Sequence, residues 1–115
     1  LMLPKANRLK SDGDFKKIFK YGKTSENEFM RIKFLKNFKP YSRFGFIVSN
    51  KLAPKAVVRN LFRRRLRAAA YFLLKNIKPG FDVVIWPKTA FKKFSYQTLL
   101  NNFKNLLIKN DLLSI

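Results

Sequence analysis

A chain of 115 residues, 47% apolar and with thirteen phenylalanines, is long enough to bury one core and too apolar to be a disordered tail. It carries 26 Lys and Arg against 6 Asp and Glu, a net charge of +20, so it repels itself and attracts a polyanion. It has neither cysteine nor histidine, which excludes disulfides, thiolate metal sites and the most usual general base. No apolar run approaches the ~18 residues of a bilayer span. The charge is spread through folded-looking segments rather than one amphipathic arm, so a nucleic acid and not a membrane is the expected partner. The opening Leu1-Met2-Leu3-Pro4-Lys5 has no apolar h-region. A cytoplasmic basic protein with a single domain over 1–115 is the expectation.

In chain order, residues 1–10 carry Lys5, Arg8 and Lys10 without periodicity and read as a loosely held basic arm. Ser11 is suited to cap a short helix through Phe15, Ile18 and Phe19, with Asp14 completing a weak capping box and Asp12 and Asp14 at the positive end of the dipole. Gly22 is suited to the C′ position that ends it. Residues 23–28 are polar and read as a loop or a frayed strand start. Residues 29–35 alternate, with Met30, Ile32 and Phe34 on one face. After a turn containing Pro40, residues 43–49 form a second strand, expected to pair antiparallel with the first.

Lys55 to Arg67 is the most informative stretch: five of its thirteen residues are arginine and none is acidic. Pro54 is placed in the first turn of a helix reaching about Asn76. Arg59, Arg63 and Arg67 fall four apart in one row, with Asn60 and Arg64 beside it, within an arc of roughly 140°. Val58, Leu61, Phe62, Leu66, Ala69, Phe72 and Leu73 fall on the other side, toward a core, and Arg65 also falls within that apolar arc. Arginine in such excess over carboxylate favours planar, bidentate contacts to phosphates and bases.

Pro79-Gly80 breaks the chain, and Phe81 to Trp86 follows as a mostly apolar strand. Ser95 caps a last helix from Tyr96 to about Lys109, with Leu99, Leu100, Phe103, Leu106 and Leu107 at helical spacing. The tail after Asn110 takes no assignment. The order α-β-β-(β)-α-β-α gives the fold class: a two-layer α/β sandwich. On spacing alone, Phe15, Phe19 and Trp86 are core residues.

The acids are Asp12, Asp14, Glu26, Glu28, Asp82 and Asp111. Capping accounts for the first two and a polar loop for the next two. Asp82 is expected at an edge or in solvent, and Asp111 lies in the tail. No set of converging carboxylates, phosphate-binding glycine loop or nucleophile–base pair is present, so the chain is expected to do no covalent chemistry itself.

Several stretches together carry a family resemblance: Arg8-Leu9-Lys10 with Asp14-Phe15, Phe19 and Gly22; Gly45 to Lys51; Lys55 to Asn60; the run Arg63-Arg64-Arg65-Leu66-Arg67; and Phe81 to Ile85. From about Asn7 to about Lys109 the chain resembles the protein subunit of bacterial ribonuclease P, the ribonucleoprotein endoribonuclease that removes 5′ leaders from precursor tRNA. The resemblance implies a ribosomal-protein-like sandwich with a left-handed βαβ crossover, and a catalytic centre made of RNA. Lys51, Lys55, Arg59, Asn60, Arg63, Arg64 and Arg67 would then contact the ribonuclease P RNA. Phe15, Lys16 and Phe19 would line the leader-binding cleft on precursor tRNA. The implied cofactor is Mg²⁺ held through the RNA, with none bound by the protein and no protein partner. Two positions depart from the family pattern: Leu61 stands where Arg-Asn-Arg would end in arginine, and Asn50-Lys51 stands where a lysine pair is usual. The competing readings are a ribosomal or other structural RNA-binding protein and, more remotely, a stand-alone nuclease.

Overall fold

A hydrogen-bonded four-stranded sheet organises the computed structural model, which describes residues 3–88 and 95–114. Among these residues, three α-helices and four strands follow in the order α1 (Asp12–Tyr21), β1 (Lys23–Glu26), β2 (Met30–Lys36), β3 (Arg43–Phe46), α2 (Ala56–Leu73), β4 (Phe81–Pro87) and α3 (Tyr96–Lys109). The α/β sandwich expected from the sequence is present. The stretch read as a loop or frayed start is partly a strand, because residues 23–26 pair antiparallel with 31–34 in register.

Strand order corrects one expectation. The sheet runs β1-β2-β4-β3, so β2 and β3 do not pair with each other. Instead β4 lies between them, antiparallel to β2 and parallel to β3. The reason lies in the composition of β4: Val83 and Ile85 point into the main core while Val84 and Trp86 pack on the opposite face. A strand apolar on both faces belongs inside a sheet, and the crossover through α2 delivers it there.

The same alternation divides the molecule. Met30 and Ile32 of β2, Phe44 of β3, and Val83 and Ile85 of β4 join Phe62, Leu66, Ala69 and Leu73 of α2 and the apolar stripe of α3 in one large core. On the other face, Leu9, Ile18 and Val84 form a small second core with Phe15, Leu35 and Trp86 against it. Thus α2 and α3 form the layer on one side and α1 sits alone on the other.

Local details refine the reading. Ser11 caps α1 by accepting from the Gly13 N–H, 3.1 Å, and Ser95 caps α3 by accepting from the Thr98 N–H, 3.2 Å. Gly22 ends α1 in an extended conformation rather than a left-handed one. It is glycine because a Cβ there would lie 2.5 Å from the Ile18 carbonyl oxygen. Pro54 precedes α2 instead of entering its first turn, since Lys55 is the N-cap. Phe72 is 68% exposed, at the edge of the apolar arc rather than in the core. The arm over 3–10 is held, not loose: Leu3 and Leu9 are buried, the Leu9 N–H donates to the Phe44 carbonyl at 2.9 Å, and Arg8 Nε donates to the Leu3 carbonyl at 2.6 Å. Leu112 and Leu113 of the tail are likewise buried.

Asp82 is the other correction. It is 6% exposed, and both its oxygens accept from Arg43, at 2.8 Å from Nε and 2.7 Å from Nη2. Burial of a carboxylate in the central strand is tolerable only with such pairing, and Asn37 Nδ2 adds a third hydrogen bond at 2.8 Å. The Asp82 carboxylate, followed by Asp14, raises the Arg43 pKa above its ordinary value.

Candidate nucleic-acid interface

The arginine helix forms because its apolar positions recur on one face: Phe62, Leu66, Ala69 and Leu73 are fully or nearly buried against the sheet and α3. Leu61 is half-buried and packs against the same core, so the position where the resemblance implies arginine here serves packing. The opposite face presents Asn60, Arg64 and Arg67 exposed, with Arg59 and Arg63 half-buried. Lys55 at the N-cap and Lys51 in the preceding turn are exposed.

The row is not uniform. Arg59 Nη1 turns back and donates to the carbonyls of Ala53, 2.9 Å, and Pro54, 2.8 Å, tying the entry loop to the helix. Arg63 Nη1 donates to Asn60 Oδ1, 2.9 Å, which fixes that amide with its NH₂ group free to donate outward. Arg64 and Arg67 keep their guanidinium groups for solvent. The ion pairs observed among the described residues join Arg31 and Lys88 to Glu26, Arg43 to Asp14 and Asp82, and Lys78 to Asp111. Arg59, Arg63, Arg64 and Arg67 stand in none of them, so their field is not cancelled locally.

The second half of the site lies on the other sheet face. Phe15 projects from α1 onto Gly45 of β3, and a Cβ at Gly45 would lie 2.6 Å from two of its ring carbons. Beside this contact opens a cavity of about 380 Å³ bordered by Arg8, Lys10, Phe15, Gly45, Phe46 and Arg67. The helix and the cleft therefore meet: Arg67 borders the same space as Phe15. Phe19 does not line that cavity. It is 41% exposed and its ring lies 5.8 Å from that of Trp86, which in turn has the Arg31 guanidinium 6.0 Å from its centroid. Lys16 is exposed on α1.

Arg8, Lys10, Gly45 and Phe46 were not among the expected site residues. Two signals for them existed: the basic pair flanking an apolar Leu9, and a glycine inside a strand pattern, which marks close approach of another group. Among the described residues, no three acidic side chains come together to hold a metal ion, and no helix is long and apolar enough to cross a membrane.

The comparisons with known proteins point one way. The family model for ribonuclease P matches residues 3–111. A ribonuclease P protein component from Clostridioides difficile (strain 630) is 37% identical over 105 residues, covering 90% of this chain and 91% of that protein. The component from Picosynechococcus sp. is 38% identical over 109 residues, covering 95% of this chain and 94% of that protein. The solved ribonuclease P protein from Thermotoga maritima superposes with a TM-score of 0.82 at 35% identity, covering 89% of this chain and 96% of that one. On sequence and fold alike, the chain belongs to the bacterial ribonuclease P protein family, the protein components of the ribonucleoprotein endoribonuclease that matures the 5′ ends of tRNA.

Proposed function

We propose that this chain binds the ribonuclease P RNA through the exposed face of α2 and takes the 5′ leader of precursor tRNA into the cavity beside Phe15. The carrying observation is that Phe15 and Arg67 border one space, which joins an aromatic surface for a base to a guanidinium for phosphate. On the RNA-subunit side, Lys51, Lys55, Arg63 and Arg64 supply exposed or half-exposed cations, and Asn60 offers a positioned amide. Arg59 acts there by holding the Ala53–Pro54 entry loop as well as by charge. Lys16 and Phe19 extend the leader surface along α1.

In this reading the protein is the non-catalytic partner and works in the cytoplasm. Its cations reduce the repulsion between two RNAs, and the metal-dependent chemistry belongs to the RNA, with Mg²⁺ held there. The electrostatic share of the binding makes association fall steeply with salt.

The test is reconstitution with bacterial ribonuclease P RNA at low magnesium, reading cleavage of precursor tRNA. Stimulation by the protein is expected. RNA binding without stimulation would instead assign the chain to a structural, ribosomal-type role, and cleavage by the protein alone would show a nuclease.

A further inference from the structure

A second aromatic and basic site lies at the far end of the sheet, where β2 ends and β4 begins. Tyr21, Lys23, Phe34, Leu35, Lys36 and Phe81 surround an apolar pocket of about 260 Å³. That is below the roughly 300–1,000 Å³ of pockets for drug-sized ligands, and suits a single planar ring. Phe34 and Phe81 meet edge to face at 6.5 Å and form part of its wall. Both pack toward the core under α2 and α3, on the opposite sheet face from the Phe15–Gly45 contact. Tyr21 of α1 and Leu35 reach the pocket from the other face, so it sits at the sheet's end, and it is separate from the leader cleft because none of its lining residues borders the cavity beside Phe15.

The geometry of Tyr21 is set by the backbone. Gly22 donates to the Ile18 carbonyl at 2.8 Å, and a Cβ there would also lie 3.0 Å from the Phe34 carbonyl oxygen. This passage, possible only for glycine, carries the chain from α1 straight into β1 and leaves Tyr21 at the pocket mouth, 62% exposed. Lys20 Nζ lies 5.3 Å from the centre of the Tyr21 ring. Lys23 is held opposite Phe34, and Lys36 opposite Phe81, by strand register. No carboxylate lines the pocket. An exposed ring backed by two phenylalanines and ringed by lysines matches a base stacked on an aromatic with its phosphates beside cations.

We propose that this pocket is a second nucleobase subsite, occupied by single-stranded RNA, with Tyr21 as the stacking surface and Lys23 and Lys36 as phosphate contacts. The proposal rests on the reading of the chain as RNA-binding and adds a contact that neither α2 nor the Phe15 cleft supplies.

The test uses the full chain and a fluorescent oligouridine in which one base is 4-thiouridine. Irradiation is expected to crosslink the RNA to the peptide bearing Tyr21. Tyr21→Ala should weaken oligouridine binding about 5- to 10-fold, whereas Tyr21→Phe should retain it, because stacking needs the ring and not the hydroxyl. Exposure of Tyr21 means that the substitution spares the core. Unchanged affinity in Tyr21→Ala, with Arg64→Ala still weakening binding, would overturn the second subsite and leave the main reading standing. Failure of the unmodified protein to bind RNA would overturn both. Self-association in sedimentation that disappears in Tyr21→Ala, with RNA affinity unchanged, would give the pocket to a second copy of the chain and likewise overturn the proposal.

Discussion

Phe15 rests on Gly45 so closely that two of its ring carbons lie 2.6 Å from where a Cβ would be, which makes the absence of a side chain in β3 a condition for the cleft. Gly45→Ala should push the ring out of place, because neither the strand nor a rigid ring yields by flexing a side-chain end. We expect a stability loss of about 1–3 kcal/mol in urea unfolding. Affinity for a leader-bearing precursor should fall while affinity for the RNA subunit is kept. Equal loss of both affinities would instead point to general damage to the fold.

Phe15→Ala tests the same contact from the other side. It leaves the strand intact, so its effect should appear as weaker precursor binding with assembly largely unchanged. If assembly and substrate binding fall together, Phe15 is a core residue of the small second core and not a leader surface.

Arg59 and Arg64 should separate, although both lie on the charged side of α2. Arg59→Ala removes two hydrogen bonds to the entry-loop carbonyls and should lower the midpoint of thermal unfolding as well as weaken RNA binding. Arg64→Ala should leave the unfolding midpoint in place, while the slope of log affinity against log salt falls by about one unit. Matching effects of the two on stability would contradict the loop-tying role.

Asp82 is paired with Arg43 inside the sheet, and Asp82→Asn would leave a largely buried guanidinium facing a neutral amide. Asp14, 3.3 Å away, offsets part of that cost, so a loss of about 3 kcal/mol is expected, at the low end for breaking a buried pair. Urea unfolding with an unchanged slope and a lower midpoint would register it. A shift under about 1 kcal/mol, typical of exposed pairs, would mean that solvent reaches the site.

Glu26 gives a pH prediction. Its hydrogen bond to Lys88 is the main cause of a folded-state pKa below its ordinary value; burial opposes the shift, and the charges of Arg31 and Lys88 lower the pKa further. The unfolded chain then holds more protons in that window, so the contribution is present above the unfolded value and is lost as pH falls through the folded one. Acid unfolding of Glu26→Gln should lack this part of the pH dependence, and an identical acid limb in both proteins would rule it out.

Much of the fold was legible because period and punctuation agree with it. Ser11 and Ser95 cap where they were expected to, the expected apolar positions of α3 and, apart from Phe72, of α2 fall inward, and the alternation of Met30, Ile32 and Phe34 identifies the buried face of β2. Strand partners were not legible, because pairing two strands joined by a short turn is the local solution and the real arrangement inserts a strand from far along the chain. Asp82 was misjudged for the same reason: its partner Arg43 is 39 residues away, and no local pattern announces a buried ion pair.

The candidate site divides along the same line. Sequence alone determined the large excess of cationic over acidic side chains and the lack of cysteine and histidine, since charge and composition are properties of the residues themselves. It also determined the arginine face of α2, since helical periodicity follows from local backbone geometry. Only the tertiary structure decided that Arg67 and Phe15 border one cavity, that Arg59 is partly committed to its own entry loop, and that Gly45 is the floor under Phe15. The shared cavity and the Phe15–Gly45 contact depend on β3 lying at the sheet edge with α1 across one face and α2 across the other. That placement comes from burying β4 on both sides, a long-range packing term that no window of the sequence contains.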